Sequence, residues 1–440
     1  MLLGLLTPQA ARANAFDHLR TTDDIGLNKI PHMGVSHILV IPSRVKTLTF
    51  PKSRHDKMKA FFARAGGPGT FRDYWKTISL GRYDPIPTLV EPVFYGDSCP
   101  IPGKTYTHCS VSLDDLAVLG SRGVQAAFED LLGRVRDEQN VDLSTFDVNS
   151  ATKGKSDGYF DGIVVDTNLY SGIAFPLAPL SNTVTVGATS KDDSKKLTCG
   201  IVALVQPDLH EFGHLFGLID HYGGPTINGL MADIKSGISA FTRLRLGWGE
   251  AQKIDGPQTI ELPPVLEGGK VLQIGEAPRY LLVENRNGAK HAGVDSSPKG
   301  IYIFSIDEDT LPKGPMGFLD LASAALYLPN KKAPYLNVNL PLKCKLKAPG
   351  DPDACAMGPG DARKLVHESG TDSGLVLNVK SISASGSATL TITQGSGNGP
   401  GPSESGGCHL GQRGTTPPLA LLAALLLGMC LGRSRRRKRR

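Results

Sequence analysis

The hydrophobic pattern divides the chain into a mixed α/β half and a later half rich in short strands. Residues 34–42 form a β-branched apolar run, which predicts the first strand of an α/β sheet. Residues 57–65 and 70–78 predict two helices, and apolar residues at helical spacing over 113–137 predict a long helix packed on the sheet. Further strands are predicted at 162–165, 183–189 and 201–205.

After residue 248 the pattern changes to short alternating strands, which are typical of a β-rich lobe. Residues 395–407 contain no large apolar side chain and predict a flexible linker. We therefore divide the chain into a first domain over 16–255, a β-rich lobe over 256–394, a linker over 395–416 and a tail over 417–440. The strands predicted in the lobe are 259–262, 270–274, 280–284, 301–306, 374–382 and 388–394.

Both ends of the chain carry features of export. We interpret residues 1–15 as a signal peptide that lacks its beginning, because residues 1–6 are apolar and 13–15 have an Ala-Asn-Ala cleavage pattern. A plain disordered N-terminus is the alternative. Residues 417–432 are uncharged, slightly shorter than the roughly 20 residues that span a bilayer, and a basic run follows them. We expect this segment to anchor the body of the protein outside the cell.

The net charge of +6 is concentrated in the tail. Residues 433–440 supply seven positive charges, and the rest of the chain has 41 basic against 42 acidic residues. A neutral body lacks the electrostatic footprint of a protein that binds nucleic acid, so we expect no nucleic-acid partner. A chain of 440 residues with 40% hydrophobic content can bury one large core or two moderate ones.

Four of the seven cysteines form two close pairs in stretches rich in proline and glycine, which suit surface loops. Cys99 and Cys109 are ten residues apart, and Cys344 and Cys355 are eleven apart. The spacing predicts two local disulfides formed in an oxidising compartment, with scattered buried thiols as the alternative.

The candidate chemistry lies in residues 210–221, whose sequence is HEFGHLFGLIDH. His210 and His214 are four residues apart, so in a helix they lie on one face and can bind one metal ion. Glu211 lies beside the first histidine and can act as a general base. An accidental match on a helix surface is the alternative to a zinc site.

A catalytic zinc site needs one more protein ligand, because zinc takes about four ligands and one of them is water. Gly217 can adopt the left-handed conformation that ends a helix and turns the chain back. The turn would bring either Asp220 or His221 to the metal, and neighbouring residues of an extended segment point to opposite sides. The residue pattern alone leaves both open.

A second candidate metal site precedes the strand predicted at 162–165. Oxygen ligands cluster there around glycines, as calcium prefers, although the spacing is not that of an EF-hand. A solvated turn is the alternative. The candidate ligands are Asp147, Asn149, Asp157 and Asp161.

The sequence around the zinc motif resembles the immune inhibitor A-like secreted zinc metallopeptidases. The resemblance rests on residues 210–222, on Asn-Gly-Leu-Met at 228–231 and on Ser-Ala-Phe-Thr-Arg-Leu-Arg-Leu-Gly-Trp at 239–248. Looser matches occur at 71–83, 280–286 and 300–304.

The resemblance implies a metzincin-like α/β fold and a zinc endopeptidase that cleaves protein or peptide substrates. The zinc motif of that family ends in aspartate, which favours Asp220 as the third ligand and leaves His221 to line the cleft. Met231 matches the methionine turn beneath the metal. A catalytically inactive surface-binding protein and a zinc amidase acting on cell-wall peptide are the alternative functions.

The C-terminal segment resembles bacterial surface-sorting tags, which combine a linker, a cysteine, an apolar helix and an arginine cluster. The resemblance implies that Cys408 is a processing or lipid-attachment point. A simple tail anchor is the alternative.

Overall fold

The structure is a computed structural model, and it is strand-rich with mixed α/β content and several sheets. The mixed α/β class expected from the sequence is thereby confirmed. The described residues are 31–45, 52–95, 130–149, 160–166, 173–176, 184–186, 197–199, 201–204, 209–214, 237–291, 299–308, 356–367 and 369–395, with a few isolated residues between these ranges.

The first sheet has six strands, five of which are parallel. The strands are β1 (Gly34–Val45), β2 (Tyr83–Leu89), β3 (Val93–Tyr95), β4 (Ile163–Asp166), β5 (Ile173–Pro176) and β8 (Ile201–Leu204). Their order is β2-β1-β4-β8-β5; β3 pairs with the end of β1, and β5 runs antiparallel to β8. A separate antiparallel pair consists of β6 (Val184–Val186) and β7 (Leu197–Cys199).

The centre of the first sheet is covered on both faces. Ile38, Leu39, Val40 and Ile41 of β1 are all fully buried. Successive side chains of a strand point to opposite faces, so a continuous buried run requires layers on both sides. The strand predicted at 34–42 is confirmed and continues to Val45.

β2 was not among the predicted strands, because two prolines interrupt its pattern. Pro85 and Pro87 cannot donate backbone hydrogen bonds, which confines them to positions where no ladder bond is needed. β2 lies at the end of the sheet order, and Tyr83, Pro85 and Pro87 all point to the buried face. A sequence with two prolines would not suit a central strand, but it fits this edge position.

Two helices follow β1 along the chain, α1 (Lys52–Phe61) and α2 (Phe71–Ile78). Thr70 caps α2, since its side chain accepts a hydrogen bond from the Asp73 amide at 3.2 Å. Both predicted helices exist, although α1 begins five residues before the predicted start at 57. Of the long helix predicted over 113–137, the described part from residue 130 is helical and continues to 139.

Two further helices are short, α3 (Leu209–His214) and α4 (Ala240–Arg245). Ser239 caps α4 by accepting a hydrogen bond from the Thr242 amide at 3.2 Å. Within the described ranges no helix is long and apolar enough to cross a membrane; the tail from residue 396 onward lies outside those ranges.

The later half of the chain forms two sheets packed face to face. Their strands are β9 (Ala251–Ile254), β10 (Gln258–Leu262), β11 (Val271–Glu276), β12 (Arg279–Arg286), β13 (Gly300–Asp307), β14 (Leu340–Pro341), β15 (Ala362–Val366), β16 (Asp372–Ile382) and β17 (Ala388–Gln394). The five-stranded sheet has the order β14-β13-β12-β11-β9. The four-stranded sheet has the order β10-β17-β16-β15. Side chains from both sheets meet in one core, including Leu281, Val283, Leu377 and Leu390.

The opposite face of the five-stranded sheet is buried too. Tyr280 and Leu282 alternate with Leu281 and Val283 along β12, and they pack against α4 instead of the second sheet. The α/β half and the β-rich half are therefore joined through α4.

Candidate functional site

The first five residues of the candidate zinc motif, 210–214, lie on α3, which follows β8 after a short segment of sequence. The helix begins at Leu209, two residues after Pro207, and runs to His214, so the backbone is helical across both histidine positions. Positions four apart in a helix share one face. The side chains of His210, Glu211 and His214 lie outside the described residues.

Phe212 anchors α3 to the protein core. Its ring is buried and contacts the rings of Phe71 at 4.8 Å, Trp75 at 5.4 Å and Phe216 at 5.5 Å between centroids. Residues two apart in a helix differ by about 200°, so Phe212 lies roughly opposite the face shared by positions 210 and 214. The core therefore fixes the rotation of α3 through the residue between the two histidines.

The same aromatic core joins stretches that are far apart in sequence. Trp248 stacks on Tyr83 at 6.2 Å and contacts Phe216 at 5.5 Å, and its indole N–H donates to the His32 carbonyl at 2.6 Å. Phe71, Tyr83 and Trp248 come from the stretches that carry the resemblance to the metallopeptidase family. All these rings pack around α3.

A hydrogen bond closes the loop that follows the motif. The Leu230 amide donates to the Gly237 carbonyl at 2.7 Å, so these two residues lie side by side at the ends of the segment 231–236. Gly237 then approaches Asp295 closely, because a Cβ at this glycine would lie 3.0 Å from the Asp295 carboxyl carbon. Gly217, Asp220, His221 and Met231 themselves lie outside the described residues.

A fully buried charge cluster contacts Gly237 and Ile238, which follow this loop in sequence. Arg286 donates to Glu284 Oε1 from Nε at 2.7 Å, to Ser297 Oγ from Nη1 at 2.8 Å and to the Ile238 carbonyl from Nη2 at 3.1 Å. Asp295 Oδ1 accepts from the Ser297 amide at 2.8 Å and from the Gly237 amide at 3.4 Å.

Burial and neighbouring charges shift the pKa values of this cluster in opposite directions. Burial lowers the pKa of Arg286, but Glu284 and Asp295 outweigh it, and the net shift is upward. Burial raises the pKa of Asp295, whereas Arg286 and the hydrogen bonds from Ser297 and Gly237 lower it below its ordinary value. Arg286 and Asp295 therefore stay ionised at neutral pH as mutual partners.

Arg243 links the cluster to the α/β half. This residue of α4 is buried and donates from Nη1 to the Ile78 carbonyl at the end of α2. Burial lowers the pKa of Arg243 to about 10 although Glu284 raises it. The site residues predicted from the sequence do not include Arg243, Glu284, Arg286 or Asp295; the available signal was charge within buried apolar runs such as Tyr-Leu-Leu-Val-Glu-Asn-Arg.

The loop proposed for calcium is described in part. Asp161 is fully buried and accepts hydrogen bonds from the amides of His37 at 2.7 Å, Val148 at 3.2 Å and Asn149 at 3.1 Å. Asp147 accepts from Ser156 Oγ at 2.7 Å, and Asp157 lies outside the described residues. The structure brings Asp147, Asn149 and Asp161 into one loop, where Asp161 ties that loop to β1.

Within the described ranges no group of three or more His, Cys, Asp or Glu side chains is placed to hold a metal ion. The side chains of the candidate zinc motif at His210, Glu211 and His214 lie outside those ranges. Cys99, Cys109, Cys344, Cys355 and Cys408 also lie outside the described residues.

Comparison with known proteins identifies no family for this chain. No family model matches it, and no curated protein matches it.

Proposed function

We propose that the chain is an exported zinc-dependent endopeptidase. The observation that supports it best is the helical backbone across His210 and His214, on a helix that follows a central strand of a mainly parallel sheet. In open α/β sheets, functional groups commonly gather at the carboxyl ends of the strands, where α3 begins. Two histidines four apart with an adjacent glutamate are the donor pattern of a zinc hydrolase.

The donor set fits zinc, which commonly binds imidazole and carboxylate ligands. His210, His214 and Asp220 would hold the metal, with His221 as the alternative third ligand. Zinc, when bound, would polarise a water molecule and the carbonyl of the scissile bond. Glu211 would take the proton from the attacking water and pass it to the leaving amine.

The finer fold assignment, a metzincin-like peptidase domain, belongs to the same proposal. It is supported by the aromatic core around α3, which joins residues from the stretches similar to the metallopeptidase family. The antiparallel strand β5 ends the described sheet next to β8, and α3 packs beside both strands. An extended peptide substrate could add to this edge by backbone hydrogen bonds.

We also propose that the enzyme acts at the cell surface. The signal-like N-terminus, the paired cysteines and the apolar segment with its basic run support export and anchoring through the tail. Calcium at the loop of Asp147, Asn149, Asp157 and Asp161 remains part of this proposal.

The test is metal analysis and casein hydrolysis by the purified protein, with Glu211→Gln alongside. We expect about one zinc per chain in both proteins. We expect activity to fall about a hundredfold or more in the variant, because the general base is lost and the ligands are kept. Glu91→Gln, an exposed carboxylate on the same half of the protein, is the matched control and should leave the rate unchanged.

The outcomes separate the alternatives. Zinc without hydrolysis of casein or any cell-wall peptide would favour the inactive binding protein. Hydrolysis of cell-wall peptide alone would favour the amidase. Equal activity of the wild type and Glu211→Gln would remove Glu211 from the mechanism.

A further inference from the structure

We propose that the outer face of α1 and α2 is a docking surface for bilayers that contain anionic phospholipids. This basic face consists of the exposed cations of residues 52–82, a range that the structure describes without a gap: Lys52, Lys57, Lys59, Arg64 and Lys76. The proposed docking goes beyond the peptidase function and does not depend on the zinc site.

The near-neutral charge of the body is the sum of two regions of opposite sign. Before residue 433 the chain has 41 basic and 42 acidic residues, and residues 52–82 hold eight of the basic and two of the acidic ones. The other residues before 433 therefore have 33 basic against 40 acidic side chains. One short stretch of the α/β half thus carries a positive potential that the total charge of the body conceals.

Packing leaves this charge exposed to the solvent. α1 and α2 lie on one face of the first sheet, and their apolar side chains join Ile38 and Val40 in one core. The ring of Phe62 contacts that of Phe71 at 5.3 Å between centroids, which joins the end of α1 to the start of α2. The five cations of the basic face remain exposed, and Asp56 is the only exposed acidic residue within 52–82.

The basic face is short of carboxylate partners. Within the described ranges four of its five cations make no ion pair: Lys52, Lys57, Lys59 and Arg64. The fifth, Lys76, shares the single carboxylate of Asp84 with Arg72. An exposed lysine of the β-rich half can instead be paired, as Lys290 is with Glu267 at 2.8 Å. Unpaired cations on one helix repel one another, so an anion from outside the chain would be stabilised there.

Helix stability does not explain the charges of α1. The positive end of the helix dipole favours acidic side chains in the first turn, but that turn carries Lys52 and no acidic residue. Asp56 lies four residues after Lys52 and three before Lys59, which are the spacings of stabilising pairs, yet neither pair forms in this part of the structure. An external anionic partner accounts for both observations.

The side chains of the basic face fit a bilayer better than a nucleic acid. Four of the five are lysines, whose compact charges on flexible stems suit a diffuse negative surface. Single-stranded nucleic acids need exposed rings for stacking. The rings of α1 and α2 are instead packed on one another, with Phe61 at 6.2 Å from Phe71 and Tyr74 at 5.1 Å from Trp75 between centroids. The observations therefore favour anionic headgroups.

Lysine acetylation of the full chain at low salt, read by mass spectrometry, tests the docking. The vesicles contain phosphatidylglycerol mixed with phosphatidylcholine, or phosphatidylcholine alone. We expect acetylation of Lys52, Lys57 and Lys59 to slow about fivefold on the mixed vesicles only, because each basic residue near an anionic surface contributes about that factor. Lys270 and Lys380, which are exposed on the β-rich half, should keep their rates. Added salt should remove the protection, since it screens exposed charges.

Two double variants with the same change of charge separate the position of the charges from their number. Lys57→Gln with Lys59→Gln should weaken binding to the mixed vesicles about 25-fold, which is two factors of about five. Lys270→Gln with Lys380→Gln should bind like the wild type. All four lysines are exposed, so both variants should fold. The tail is present in every protein compared, and where it alone holds the protein on the vesicles, the acetylation rates decide.

Three results would overturn the inference: equal protection of Lys57 and Lys270, equal weakening of binding by the two double variants, and equal protection on neutral and mixed vesicles. Tighter binding to duplex DNA than to the mixed vesicles would assign the basic face to nucleic acid instead. None of these results bears on casein hydrolysis, so the proposed function would stand. A protein without zinc or peptidase activity would reject that function and leave the docking surface to be judged by its own test.

Discussion

At the scale of single residues, the structure places several charges where water cannot reach them. An ionised carboxylate in such a place costs several kcal/mol unless partners compensate. Asp295 has a cation beside it, whereas Asp161 has three backbone amides and Asp147 nearby. The two carboxylates consequently differ in the direction of their pKa shift.

Asp161 gives a prediction on pH dependence. Burial raises its pKa from 3.8 to about 7 although three backbone amides lower it. Between these values the folded protein holds a proton that the unfolded chain has released. Stability from this group is thus present below about pH 4 and lost as the pH rises towards 7. The slope is at most about 1.4 kcal/mol per pH unit, the limit for one proton.

Urea unfolding of wild type and Asp161→Asn between pH 4 and 8 measures this effect. The free-energy difference between the two proteins should shrink as the pH rises to 7 and then stay constant. Asp137→Asn is the control, because Asp137 is exposed and Arg136 lowers its pKa. A pH-independent difference for Asp161→Asn would contradict the raised pKa. Repeating the series with calcium tests the calcium proposal, since a bound ion stabilises only the folded state.

The third zinc ligand gives a second prediction at this scale. Asp220 lies six residues after His214 and three after Gly217, where the motif of the similar family places its ligand. Asp220→Ala should lower zinc affinity by more than the roughly 10–100-fold typical of residues that only orient ligands. His221→Ala should retain the metal. Chelator competition on both variants is the measurement, and the reverse order of damage would assign the ligand role to His221.

At the scale of elements, the sequence predicts the helices and strands whose pattern of apolar residues is unbroken. The strands at 34–42 and 301–306 carry apolar runs, and the strand at 388–394 alternates apolar and polar residues. Each exists with nearly the predicted bounds. β2, with Pro85 and Pro87, and β15, with two charged residues among five, carry no such pattern. Sheet position, which sequence does not contain, decides whether such segments become strands.

The candidate site likewise has one part that the local sequence predicts and one part that it does not. The two histidine positions of α3 follow from a local pattern, because a helix relates residues four apart whatever surrounds it. The contact of Asp295 with Gly237 joins residues 58 apart in sequence. No local period marks such a pair, so the buried charge cluster could be identified only after β12 and the loop were placed together.

At the scale of the whole molecule, the β-rich half is packed as a layer of one body. The five-stranded sheet is buried against the four-stranded sheet on one face and against α4 on the other. β9, which directly follows the Leu-Gly-Trp run, pairs in parallel with β11 of that sheet. A chain ending near residue 255 would therefore expose the apolar face of α4 and lose Glu284 and Asp295, whose charges counteract the burial of Arg243.

The last prediction concerns the C-terminal boundary of the β-sandwich, at Gly395. β17 pairs with both β10 and β16, and Gly395 closes this unit with a bond from its amide to the Gly374 carbonyl at 2.7 Å. Leu390 and Ile392 are buried, whereas no described residue lies beyond Gly395. Deleting residues 396–440 should leave folding intact, because every contact that β17 makes with the described residues is kept.

We expect this truncated protein to appear in the medium, folded and with wild-type activity on casein, whereas the full chain stays with the membrane fraction. Deleting residues 388–440 is the matched control: it also removes β17, and it should yield aggregated protein because β10 and β16 lose their common partner. An insoluble or inactive protein after deletion of 396–440 alone would mean that the tail packs on the body. Secretion of the full chain in equal amount would remove the anchor from the proposal.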